Sequence, residues 1–148
     1  MSASAPHDPA CHRTEIRVYY EDTDAGGIVY YANYLRFAER ARSEMLRVIG
    51  FENSALMDQK GVALAVRRVN VEYLKPARLD DALTIETRVT AVKGASLEMA
   101  QAVKRGDEDL VDMTLTLACM NKDGRPVRLP AEVRDGMTRF GGDDTTPQ

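Results

Sequence analysis

From about Asn33 the apolar residues Leu35, Ala38, Ala41, Met45 and Ile49 recur at spacings of three and four, with Arg36, Glu39, Arg40, Ser43, Glu44 and Arg47 between them. That period lays the apolar side chains along one stripe of a long α-helix, and Gly50 is placed to stop it. The charged positions read as its solvated face, with Arg40 and Glu44 one turn apart and spaced to pair. On either side the period shortens to two. Glu15–Tyr20 is short and rich in β-branched and aromatic residues, as a first strand should be. Val62–Tyr73 is extended in character and is closed by Pro76. Leu83, Ile85, Thr87, Val89 and Ala91 alternate with polar neighbours, Lys93-Gly94-Ala95 turns the chain, and Ser96–Lys104 returns. Arg105-Gly106-Asp107-Glu108-Asp109 makes a second polar turn before Val111, Met113, Leu115, Leu117 and Cys119 alternate again. Long strands, short turns and one helix to cover the apolar face predict an α+β domain, a single antiparallel sheet wrapped around a central helix. No internal repeat argues for a solenoid.

Composition narrows the chemistry. Residues 1–13 and 141–148 are small, polar and proline-bearing, so they are expected to be disordered tails around one folded domain over 14–140. Both histidines of the chain, His7 and His12, fall in the first of these tails. A Ser-His-Asp triad, a Cys-His pair and a histidine-ligated metal site are therefore poor readings, and a carboxylate becomes the expected working group. Cys11-His12 lacks the ligand set of a metal site, and no metal is expected. The net charge of −3 argues against nucleic acid as a partner. No apolar run approaches the roughly 18 residues of a membrane span, and the N-terminus lacks the charged and apolar regions of a secretory signal. Two cysteines in 148 residues make no disulfide framework, which points to a reducing compartment, the cytoplasm by default.

The stretch Glu21-Asp22-Thr23-Asp24-Ala25-Gly26-Gly27-Ile28-Val29-Tyr30-Tyr31 joins the first strand to the long helix. It delivers the helix N-terminus, where free N–H groups and the positive end of the helix dipole favour an anion or a carbonyl oxygen that becomes one. Gly26 and Gly27 allow a ligand close to the backbone, and Asp22 or Asp24 places a carboxylate just upstream. A carboxylate beside oxyanion donors is the basic equipment for acyl transfer. Asp and Gly also suit turns, so the pattern alone leaves a plain polar turn as the alternative. A calcium loop fails, because the fifth position from Asp22 is Gly26 and the twelfth is Asn33. A magnesium–phosphate site lacks its phosphate-cradling glycine loop.

The run from Val18 through Tyr34, with Glu39-Arg40-Ala41-Arg42, resembles the hotdog-fold acyl-CoA thioesterases, and more closely the Tol–Pal-associated branch of the 4-hydroxybenzoyl-CoA thioesterase family. The resemblance continues through Val71-Glu72-Tyr73 and Pro76–Asp81 and spans about Glu15 to Phe140. It implies hydrolysis of an acyl-CoA to free acid and CoA, with no cofactor beyond the CoA of the substrate. Asp24 falls on the family's catalytic aspartate, as nucleophile or as general base. The Tyr31 N–H falls on its oxyanion donor, and Tyr20 on an active-site tyrosine of some relatives. Many members of the branch carry histidine where this chain has Tyr31, so a backbone role survives the change and an imidazole role does not. The resemblance also implies homodimers or homotetramers with sites at the dimer interface, and names cell-envelope and phospholipid-synthesis proteins as candidate partners. Gly26, Gly27, Asn70, Lys93 and Ser96 are the substrate-binding candidates. Lys93 comes first among the cations Arg67, Arg68, Lys93, Lys104 and Arg105 that the CoA phosphates call for. The alternatives are an acyl-thioester binding module without turnover and a thioesterase for acyl groups on acyl carrier protein. Because a thiol has a pKa near 8.5, a thiolate leaves without a strong acid, and so sparse a site is sufficient.

Overall fold

The computed structural model describes residues 10–141 and 143–144. Five strands form an antiparallel sheet in the order β1-β3-β4-β5-β2: β1 His12–Arg17, β2 Val62–Tyr73, β3 Ala82–Val92, β4 Ser96–Arg105 and β5 Glu108–Asn121. A two-residue strand, β6 Asp143–Asp144, adds parallel pairing to β3. The helix α1, Asn33–Val48, lies against the inner face of the sheet, and the shorter helices α2, Asn53–Lys60, and α3, Ala131–Thr138, flank it. The period-two pattern explains which face is which. Leu83, Ile85 and Val89 of β3, Leu97, Met99 and Val103 of β4, and Met113, Leu115 and Leu117 of β5 are all buried toward α1. Each such side chain contributes about 1.5–3 kcal/mol on leaving water.

The expected α+β architecture is present, with several differences in detail. The first strand was expected over Glu15–Tyr20 and instead runs His12–Arg17. Tyr19 directs its N–H to the Asp22 carboxylate (2.8 Å) rather than into the sheet, and Tyr20–Asp22 forms a 3-10 turn. The folded chain therefore reaches into residues expected to be tail. Cys11 is buried, and the His12 ring meets Phe140 edge-on at 5.7 Å. Burial lowers the His12 pKa, and Glu44 opposes the shift. His12 is folded, contrary to expectation, but it sits at the far end of β1 from the acidic loop. At the other end of the chain, the expected tail over 141–148 contains β6, and residues 1–9, 142 and 145–148 lie outside the described residues.

The buried face of α1 is Tyr34, Phe37, Ala38, Ala41, Met45 and Leu46, so Leu35 lies outside the stripe, exposed, and Ile49 is the C-cap. Gly50 (φ +103°) ends the helix as expected, with the Phe51 N–H on the Leu46 carbonyl and the Gly50 N–H on that of Arg47, both at 3.0 Å. Glu44 pairs with Arg47 rather than with Arg40. Neither α2 nor α3 was expected.

Candidate active site

The loop from Val18 to Ala32 is built by two acids with different jobs. Asp22 is buried, its Oδ2 taking the Tyr19 N–H, while its carbonyl accepts the Tyr30 N–H at 3.0 Å and the Asn33 Nδ2–H at 2.9 Å. It sews the entrance of the loop to its exit. Within that frame Thr23 bridges Val29, and the Asp24 N–H reaches the Ile28 carbonyl at 2.8 Å, so the chain doubles back around Asp24. The Asp24 side chain is exposed. Its Oδ1 accepts the Gly26 N–H at 2.8 Å, and among the described residues its Oδ2 accepts nothing. Gly27 adopts φ +78°, a left-handed conformation that glycine enters without strain. A Cβ on Gly26 would stand 3.3 Å from Asp24 Oδ1, so the absence of a side chain there keeps the carboxylate in place.

The loop ends at an unblocked helix terminus. Ala32 holds the cap position of α1 without any side-chain cap, and there is no acid in the first turn. Among the described residues the Tyr31 N–H has no acceptor. Backbone donors at such a terminus carry partial positive charge. The Tyr31 ring is exposed, meets Tyr30 at a tilt with centroids 4.9 Å apart and Tyr73 edge-on at 6.0 Å, and the Tyr73 hydroxyl donates to the Tyr31 carbonyl at 3.3 Å. Behind it the buried Tyr34 packs on Tyr73 and Phe37. Burial pushes the Tyr34 hydroxyl above its usual pKa, against the opposing bond from Ala77 and the nearby Arg105. A cavity of about 290 Å³ opens here, lined by Ile28, Val29, Tyr31, Tyr34, Tyr73 and Pro76. Asp24, Gly26, Gly27 and Tyr31 thus share one small loop, of which Ile28, Val29 and Tyr31 line an apolar cleft.

Of the remaining candidates, Tyr20 is on the same loop and the others lie elsewhere in the chain. Tyr20 is 83% exposed on the 3-10 turn, and no hydrogen bond or ring contact joins its phenol to Asp24 or Tyr31. Asn70 donates to Thr114 Oγ1 at 3.4 Å on the outer face of the sheet. Lys93 pairs with Glu98 at 3.2 Å, and its N–H bonds the Ser96 carbonyl, at the end of β3 opposite the strand's start beside Arg17. Lys104 is shared between Glu86 and Asp109, and Arg105 between Asp81 and Glu108, so these two cations serve ion pairs within the chain. A larger concavity of about 880 Å³ lies between β1 and the charged face of α1, away from Asp24. Among the described residues no cluster of His, Cys, Asp and Glu is arranged to hold a metal ion.

Sequence reasoning missed the residues that brace the loop from a distance. Tyr34 and Ala77 are one such pair, and Arg105 with Asp81 is another. Only the proline at 76 hinted that the chain turns back there.

Comparison with known proteins identifies the family of this fold. The family model described as the thioesterase superfamily matches residues 26–112, more than half of the chain. The acyl-CoA thioesterase YbgC of Haemophilus influenzae is 43% identical over 120 residues, covering 80% of this chain and 88% of that protein. The acyl-CoA thioester hydrolase YbgC of Escherichia coli O157:H7 is 51% identical over 100 residues, 68% of this chain and 74% of that one. Among solved structures, a probable thioesterase from Bartonella henselae superposes with a TM-score of 0.77 at 40% identity, over 81% of this chain and 99% of that one. The chain belongs to the thioesterase superfamily, and its helix cradled in an antiparallel sheet is the hotdog fold.

Proposed function

We propose that this chain hydrolyses acyl-CoA thioesters at the loop carrying Asp24. The observation that carries the reading is the pairing, on one loop, of a carboxylate with a free oxygen and a helix-start N–H without an acceptor. The Tyr31 N–H would receive the thioester oxygen as it gains charge, an effect worth roughly 3 kcal/mol. Asp24 would either attack the carbonyl carbon itself or take a proton from the water that does. With Asp24 as base, the water oxygen would join the acyl carbon directly as the C–S bond breaks and CoA leaves as a thiolate. With Asp24 as nucleophile, an acyl–Asp24 anhydride would form as the CoA thiolate leaves, and water would then split that anhydride to give the free acid and the restored carboxylate. The names of the similar YbgC proteins support the substrate class.

Two features support a dimer built through β2. Its twelve residues pair with β5 on one side only, leaving a long free edge among the described residues. Tyr31, Tyr73 and Leu74 are exposed together at the end of that edge. Antiparallel pairing of β2 with its own copy would turn the Val62 end of one chain toward the partner subunit's Tyr73 and Tyr31. Ser96 and Ala65 both pair with Ala118, so Lys93 and Ser96 sit at that same Val62 end, where they would meet CoA bound at the partner subunit's Asp24. Cys11 and Cys119 are buried and form no disulfide among the described residues, which suits a reducing compartment and a cytoplasmic setting. No helix among the described residues is long and apolar enough to cross a membrane.

The test is Asp24→Asn, with thiol release from acyl-CoA followed by a chromogenic disulfide. Loss of a carboxylate base or nucleophile is expected to lower kcat by roughly 10²–10⁴-fold with the fold intact. Undiminished turnover in a folded variant would remove Asp24 from the mechanism.

A further inference from the structure

A second cavity, about 350 Å³, opens between α1, α2 and the first half of β2, within the size range of small-molecule sites. Leu46, Leu56, Met99 and Met137 form its apolar wall, while Glu39, Ser43 and Asn53 line its polar side. One cation, Arg42, lines it as well. Its Nη1 donates to Gln101 Oε1 at 3.0 Å. Gln101 is itself buried, and its Nε2 donates to the Ala38 carbonyl and to Thr87 Oγ1, both at 3.0 Å. With both amide hydrogens used, the amide oxygen is left to accept from Arg42 and anchors one end of the guanidinium. Arg42 has four further N–H donors in its fork. No carboxylate among the described residues lies within ion-pairing distance of it; Glu39, exposed on the wall of the same cavity, acts on it from further away. Burial disfavours its charge, yet an arginine cannot shed its proton, so an anion is the missing partner.

We propose that this cavity takes acyl groups ending in a carboxylate, and that Arg42, held by Gln101, recognises that terminus. The inference rests on the thioesterase reading and on the β2-paired dimer. Leu64 and Val66 line the cavity at the Val62 end of β2, while Tyr73 at the other end rests on Tyr31. Antiparallel pairing of two copies brings the partner subunit's Tyr31 and Asp24 to the mouth of this cavity. An acyl chain on a thioester held there runs along the apolar wall and presents its far end to Arg42. The substrate class is then the ω-carboxyacyl thioesters.

The experiment compares succinyl-, glutaryl- and adipyl-CoA with butyryl-, valeryl- and hexanoyl-CoA in the full chain and in Arg42→Met, alongside calorimetric binding of adipate and hexanoate. The expected result is a higher kcat/KM for the carboxylated member of each pair. That preference should fall roughly tenfold to a hundredfold in Arg42→Met, as for loss of a charged hydrogen bond, with adipate binding lost in parallel. Equal loss on both series, or a wild-type preference for the uncharged chains, overturns the proposal and makes Arg42 a prop for Gln101. Dissociation of the dimer in Arg42→Met without a change in preference also overturns it, since the guanidinium is then paired across the interface. Absence of hydrolysis on every thioester overturns the thioesterase reading instead. In that case Arg42-dependent adipate binding keeps the cavity as an anion site, and its absence removes that too.

Discussion

The phenol oxygen of Tyr34 accepts the Ala77 N–H at 2.9 Å, and the Ala77 carbonyl in turn accepts the Val29 N–H at 2.8 Å. Helix α1, the loop carrying Asp24 and the segment after β2 are thereby tied at one fully buried residue. Tyr34→Phe keeps the ring and removes the acceptor, leaving a buried N–H without a partner. A loss of about 1–3 kcal/mol in unfolding free energy is expected from urea titration. The accompanying fall in kcat should exceed that of a surface variant of equal stability, because the loop loses its anchor.

Gly26 governs where the Asp24 carboxylate sits. The Cβ of Gly26→Ala arrives 3.3 Å from Oδ1, so the carboxylate must give by a few tenths of an ångström. Thiol release is expected to drop in kcat with little change in melting temperature. Gly27→Ala meets no neighbour but enters a left-handed conformation, so its cost appears in stability, at about 1–2 kcal/mol. Interchanged effects in the two variants would contradict this division.

Acid should loosen the same region. Arg105 bonds Asp81 at 2.8 Å and Glu108 at 2.7 Å, and Lys75 bonds Glu108 at 2.7 Å, around the Pro76-Ala77-Arg78 segment. Burial works to raise the Asp81 carboxyl, but the Arg78 N–H and the Arg105 guanidinium outweigh it and hold it below the usual range. Lys75, then Arg105, hold Glu108 low as well. Carboxyls with lowered folded-state values stabilise fully above the ordinary carboxylate range, near 4, and lose that contribution as pH falls through the folded values. Melting temperature should therefore decline on acidification below that range, and Arg105→Met should flatten the decline. An unchanged slope in the variant would show that these pairs contribute nothing to acid stability.

Association through β2 predicts a dimer, or an even multiple of it, by light scattering of the purified chain. Val66→Asp places a charge on the exposed free edge and is expected to shift the protein toward monomer while abolishing thiol release. A fully active monomer would remove the interface from the mechanism.

The candidate loop was legible in the sequence because its parts are local. Asp24, Gly26, Gly27 and Tyr31 fall within eight residues, and a turn feeding a helix positions them by geometry alone. Strand alternation likewise identified the inner face of β5 and that of β3 as far as Val89, where a bulge turns Val92 inward in place of Ala91. The phase of α1 was less clear. Counting Leu35 and Ile49 placed the stripe to one side of its centre, because the aromatic Tyr34 and Phe37 carry the contact with the sheet. In α2 and α3 too few apolar residues are buried to impose a period, Leu56 alone in α2, and their signals are the left-handed Gly61 and the proline at 130. What braces the loop was out of reach. Tyr34 and Ala77 are separated by 43 positions, and Arg42 and Gln101 by 59, distances over which only the completed sheet specifies neighbours.

The two ends of the described chain meet the same edge of β3. His12 pairs with Thr87, and four residues along the strand Asp143 pairs with Ala91. At about 3.4 Å per residue the ends lie some 14 Å apart. A short flexible linker spans that gap, so the chain can be closed head to tail and reopened at the exposed Gly106-Asp107 turn without disturbing the order of strands. Such a rearranged protein would carry its new ends far along the sequence from Asp24, with β1 locked against β3 from both sides.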